Sequence, residues 1–170
     1  MAKSKQATSR VYLLLSHGWQ ESTFAAEIAS ENYDNLDKFV TERDLYVEGL
    51  NSEFDLTKEY LDEHKEFYLS GCDDMNLVSV ADVVIPENRE MYVVAGIGNE
   101  WCWEASVLGL YPDLETAWQA LAENLELREG CDDDHEYSFE KYKSNFFNNV
   151  MTDDDFIYWK WIKVKIGGKE

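Results

Sequence analysis

The sequence predicts an α+β fold of two tandem strand–strand–helix–helix–strand units with a mainly antiparallel sheet. Short β-rich runs precede segments with helical spacing, which suits strands and helices segregated along the chain. The same order of elements recurs after about 80 residues, close to the size at which a lone unit is marginal. Apolar residues make up 45% and aromatics 14% of the 170 residues, enough to fill a packed core.

The first unit, 11–86, opens with Val11-Tyr12-Leu13-Leu14-Leu15, an apolar run ending at Gly18. Phe24 to Ser30 reads as a second strand. Tyr33-Asp34-Asn35-Leu36-Asp37 starts a helix, with Asp34 or Asn35 as N-cap and Asp37 in the first turn, where the dipole favours an acid. Asp55-Leu56-Thr57-Lys58-Glu59-Tyr60-Leu61 opens a second helix expected to run to about Tyr68. An acidic turn at Asp73-Asp74 and a strand from Leu77 to Ile85 close the unit.

The second unit, 91–166, repeats the plan. Met91-Tyr92-Val93-Val94-Ala95 is the first strand, Gly96-Ile97-Gly98 its hairpin turn, and Trp101 to Leu108 the second strand. Tyr111-Pro112-Asp113-Leu114-Glu115 echoes Tyr33 to Asp37, with Asp113 as N-cap. Ser138-Phe139-Glu140-Lys141-Tyr142 opens a helix running to about Val150, and Asp153-Asp154-Asp155 form an acidic turn. The closing strand, Phe156 to Ile166, alternates, so its lysines are expected on one solvated side. Residues 1–10 form a basic N-terminal tail, and 86–90 is a short link between associated halves. The expected core holds Tyr12, Leu14, Leu36, Phe39, Tyr60, Val83 and Ile85. In the second half it holds Tyr92, Val94, Leu114, Trp118, Leu121, Tyr142, Phe146, Trp161 and Val164.

Charge narrows the function. Thirty-five acidic residues against 15 basic leave a net −20. Nucleic acids and anionic membrane surfaces draw protein affinity from Lys and Arg, so direct binding to either is excluded as an expectation. A basic protein surface is the favoured partner, reached by electrostatic steering. Residues 11–88 carry 18 acids and 4 basic residues, a net −14, and are the more acidic half.

Within the second helix of that half, Glu59, Asp62, Glu63 and Glu66 follow i, i+3, i+4, i+7 spacing and form a carboxylate stripe. The stripe extends about 10 Å along a helix axis. Successive nucleotides rise about 3.4 Å per strand, so such carboxylates imitate phosphates. Asp55, Asp73 and Asp74 flank it. Tyr60, His64, Phe67 and Tyr68 fall on another face, which is expected to pack inward.

Catalytic and cofactor motifs are missing from the sequence. His17, His64 and His135 have no metal-ligand spacing, and no phosphate-binding loop or nucleophile elbow occurs. Cys131-Asp132-Asp133-Asp134-His135-Glu136 resembles a metal loop in composition, but Tyr137 and Lys143 stand where an EF-hand needs Gly and Glu. No catalytic residue, metal or cofactor is therefore assigned. Cys72, Cys102 and Cys131 form no disulfide or metal pattern, which points to the cytoplasm. No stretch approaches the ~18 apolar residues of a membrane span.

The functional expectation is an acidic inhibitor that mimics the charge of DNA or RNA. Its targets would be basic nucleic-acid-binding proteins: nucleases, restriction enzymes or RNA-guided effectors. The competing expectation is a non-catalytic adaptor using an aromatic face of the second unit, where Trp101, Trp103, Trp118, Trp159 and Trp161 cluster. A ligand-binding or enzymatic cleft between the units is the third.

Overall fold

The computed structural model describes residues 7–18, 23–47, 57–70, 75–98, 105–129, 138–150, 152–154 and 157–168. Among these, strands and helices form an α+β fold whose strand pairs of described register all run antiparallel. The chain divides into two compact units. One comprises the residues up to Glu90 together with Val164 onward, and the other Met91–Lys163. Residues 164–166 thus group with the first unit, whereas the expected second unit ran to Ile166.

Unit 1 holds β1 (Ser9–Gly18), β2 (Thr23–Ser30), α1 (Tyr33–Glu42), β3 (Tyr46–Val47), α2 (Lys58–His64), β4 (Glu66–Ser70) and β5 (Met75–Val83). Its sheet runs β2-β1-β5-β4-β3. The run Val11 to Leu15 is buried on both faces, as its unbroken apolar character implies. Tyr12 and Leu14 point to the face carrying the helices, where they join Leu36 and Val40 of α1, Leu61 of α2, and Leu69, Val78 and Val80. Ser9 and Arg10 already belong to β1, opposite Val83 and Asp82 of β5, so the expected basic tail ends before Ser9.

Unit 2 contains β6 (Glu90–Gly98), β7 (Ala105–Tyr111), α3 (Leu114–Asn124), α4 (Phe139–Phe147), β8 (Thr152–Asp154) and β9 (Ile157–Lys165). Its sheet runs β7-β6-β9-β8. Val94 packs with Ala117, Trp118, Leu121 and Ala122 of α3, Tyr142 and Phe146 of α4, and Trp159 of β9. Trp118 meets Phe139 edge-on at 5.4 Å and Phe146 at 5.7 Å, arrangements that suit ring quadrupoles.

Several expectations are corrected. β3, β4 and β8 are additional, so neither unit has just three strands. The N-cap of α1 is Asn32, whose side chain accepts from the Asp34 N–H; Asp34 and Asn35 lie inside the helix. Asp113 caps α3, as expected, and Ser138, where the last helix was expected to open, is the N-cap of α4. Tyr111 ends a strand whereas Tyr33 begins a helix, so the sequence echo is not a structural equivalence. With the two caps aligned, buried Leu36 corresponds to buried Ala117, not to Leu114. The two sheets do share the orders β2-β1-β5-β4 and β7-β6-β9-β8, with a register shift at Leu14/Leu15 and at Val94/Ala95.

Gly96-Ile97-Gly98 completes β6 instead of turning. Asp153 and Asp154 lie in β8 instead of a turn. On β9, exposed Lys163 and Lys165 alternate with buried Val164, but Lys160 falls on the opposite face by strand alternation. Phe39, Tyr60, Val83, Ile85, Tyr92, Leu114 and Trp161 are half-buried, at the margin of the core.

Three helices end alike. After α1, Asp44 adopts φ 52°, its N–H donates to Thr41 O, and Leu45 N–H donates to Val40 O. Glu126 and Leu127 do the same after α3, and Asn149 and Val150 after α4. These are Schellman motifs with a non-glycine residue in the left-handed position. No described helix is long and apolar enough to cross a membrane.

Candidate functional site

The predicted carboxylate stripe does not survive folding as one helical face. Thr57 caps α2, its hydroxyl accepting from Tyr60 N–H at 3.2 Å, and the helix ends at His64. Lys65 then turns into the left-handed region, φ 62°, and its carbonyl accepts from Val80 N–H at 2.7 Å. Glu66 follows as the first residue of β4, paired with Ser79. Phe67, Tyr68 and Leu69 are better suited to a pleated surface than to a helix. A sheet ladder offered by β5 satisfies their backbone groups and decides the matter.

Asp62 is also withdrawn from the stripe. It is half-buried, and its Oδ1 lies 2.8 Å from Arg10 Nη1. The same guanidinium grips Asp82 through two bonds, Nε to Oδ1 at 2.9 Å and Nη2 to Oδ2 at 2.8 Å. Arg10 is held still more firmly protonated by Asp82 and then Asp62, while the Arg10 bonds draw Asp82 below the usual carboxylate range. Glu59 and Glu63 remain exposed and enter no ion pair among the described residues. Asp55, Asp73 and Asp74 lie outside the described residues. His64, expected to pack inward, is exposed; it stacks on Tyr60 at 3.9 Å, with Nδ1 3.0 Å from the Tyr60 carbonyl oxygen.

Folding adds acids that the stripe did not include. Tyr33, the first residue of α1, packs edge-on to Tyr12 at 5.7 Å, and its hydroxyl donates to Asp37 Oδ1 at 3.4 Å. Its phenol is pushed up to about 12, first by burial and then by the charges of Asp37, Glu59 and Asp34. Those carboxylates come from α1 and α2, so charges on both helices act on one phenol. The basic residues on α1 and at its C-cap are otherwise engaged: Lys38 faces Glu42 at 3.8 Å, and the Arg43 guanidinium lies 4.5 Å over Phe39. The i, i+3 spacing of Asp34 and Asp37 is visible in the sequence, but their joint action with Glu59 on Tyr33 is not.

The aromatic residues of unit 2 are largely occupied in its core. Trp118 and Trp159 are buried, and half-buried Trp161 donates Nε1–H to Phe146 O at 2.8 Å. Trp101 and Trp103 lie outside the described residues, as do all three cysteines and the segment 131–136. Among the described residues no group of three His, Cys, Asp or Glu side chains is placed to hold a metal ion. No protein-family model, curated protein or solved structure matches the chain.

Proposed function

We propose that this chain is an acidic ligand of a basic, nucleic-acid-binding protein, occupying the partner's nucleic-acid site by imitating its charge. The observation that carries this reading is that Asp34 of α1 and Glu59 and Glu63 of α2 are exposed and enter no ion pair among the described residues, with the charges of Asp37, Glu59 and Asp34 together raising the Tyr33 phenol. Like charges brought together across two helices disfavour folding by mutual repulsion. A fold that only required solubility gains nothing from the arrangement. Exposed Glu63 extends the negative surface, and Asp62 and Glu66 drop out of the contact set. The chemistry is competition in the cytoplasm, with neither bond making nor bond breaking.

The test compares the parent with a Asp34→Asn/Glu59→Gln/Glu63→Gln variant. Each is immobilised and used to capture basic proteins from a lysate, followed by elution with duplex DNA. Capture by the parent is expected to weaken steeply between about 50 and 200 mM salt and to be reversed by DNA. The variant should fold equally well and lose the captured proteins. Retention of the same proteins at the same salt would sink the reading, and capture through the aromatic residues of unit 2 would take its place.

A further inference from the structure

We infer that Ile166–Gly168 is a releasable strap that fastens unit 1 at the end of β2, with Arg89 as its catch. The segment lies just beyond β9. Gly167 forms a parallel bridge to Ser30, donating its N–H to Ala29 O at 2.8 Å and accepting from Glu31 N–H at 3.1 Å. Ile166 is buried. β2 is an edge strand of its sheet, so the strap occupies backbone groups that no neighbouring strand of that sheet uses.

Arg89 holds the strap with both backbone and side chain. A turn brings its N–H to Pro86 O at 2.9 Å and leaves it in the left-handed region, φ 58°. In that pose its carbonyl accepts from Ile166 N–H at 2.8 Å. Its guanidinium donates from Nε to Ile166 O at 2.8 Å, and from Nη2 to Gly167 O at 2.9 Å and to Glu31 Oε2 at 2.6 Å. The planar fork of an arginine suits this divergent set of acceptors, whereas a lysine ammonium on a flexible stem does not reproduce it.

The slot also selects its occupant. A Cβ on residue 167 would lie 3.2 Å from Ser30 Oγ. That oxygen cannot easily withdraw, because it accepts from Asn32 N–H at 3.0 Å and from Asn35 Nδ2 at 2.9 Å. Close approach, not an unusual φ, therefore favours glycine at this position. Every strap bond described here goes to Arg89 or to residues 29–31, and none goes to the β1–β5 ladder. The strap can open while that ladder stays paired, in the manner of a local unfolding unit.

Amide hydrogen exchange on the full chain tests this, with carboxypeptidase trimming as a second readout. Arg89→Gln should speed exchange at Glu31, Ile166 and Gly167 by about tenfold or more and leave Leu14 and Val78 unchanged. Carboxypeptidase should halt near Gly168 in the parent and pass Ile166 in the variant. Arg89→Lys, which keeps the charge beside Glu31, guards against a folding failure and should show the same local acceleration. Equal exchange in parent and variants would overturn the strap. So would acceleration of Leu14 and Val78 in step with Gly167, because opening would then be global.

Discussion

Arg10 Nη1 lies 2.8 Å from Asp62 Oδ1, while the same side chain clasps Asp82 across the β1–β5 ladder. One cation thereby ties helix α2 to the sheet beneath it and removes one of the four members of the predicted stripe from the acidic surface. All three side chains are partly exposed, so solvent weakens the pairing. Arg10→Gln should lower stability by about 1 kcal/mol in urea denaturation, and by less at high salt. Asp82 has a depressed folded pKa, so its contribution is present above the ordinary carboxylate range and is lost as pH falls through the depressed value. The variant should lose that part of the acid-side slope.

Glu126 and Asp44 occupy left-handed positions at helix ends, at φ 56° and 52°. A residue with a Cβ is strained there, and glycine is not. Glu126→Gly and Asp44→Gly should each stabilise the fold by roughly 0.5–1 kcal/mol, the strain relieved minus the added freedom of the unfolded chain. Chemical denaturation of the two single variants and the double variant measures this. A loss of stability would contradict the strain argument.

Trp118 and Trp161 should respond differently to truncation. Trp118 is buried among Phe139, Phe146 and Leu121, so Trp118→Ala should cost about 3–5 kcal/mol. Trp161 is half-buried, meets Tyr92 edge-on at 5.5 Å and donates one hydrogen bond. Trp161→Ala should cost less, about 1–3 kcal/mol. Denaturant midpoints at constant m-value decide between them, and equal losses would place Trp161 in the core proper.

Tyr33 should titrate late. Burial and its acidic neighbours raise it to about 12, so the folded chain keeps this proton after an unfolded tyrosine, near 10, has lost its own. The associated stability is fully present below pH 10 and is lost as pH rises through 12. The tyrosinate absorbance of Tyr33→Phe, subtracted from that of the parent, should isolate this late step. Replacing Glu59 with Gln should move the step to lower pH, because one of the opposing charges is gone. An unmoved step would mean that Glu59 lies too far from the phenol to contribute to a shared acidic surface.

Much of the secondary structure was legible locally. The apolar runs at Val11 and Met91 form strands, Asp113 is a cap and Ser138 opens a helix, because periodicity and capping act within a few residues. The segment after His64 misled. Its acidic spacing favoured helix, its aromatics favoured strand, and only the availability of β5 as a pairing partner resolved the conflict. Asn32 does not stand out as a cap in the sequence because Asp34 and Asn35, two equally good formers, follow it within three positions.

The sequence by itself determined the negative charge, the α+β class and the apolar material of each core, since these follow from composition and short-range pattern. The tertiary structure alone decided which carboxylates are free. Arg10 meets Asp82 across 72 positions, Arg89 meets Glu31 across 58, and the charge of Glu59 acts on Tyr33 from a different helix. These meetings depend on strand register and helix placement, which arise only when the sheet assembles. A carboxylate's chemistry is set by whatever charge lies within a few ångströms of it, and no local spacing rule specifies that neighbour.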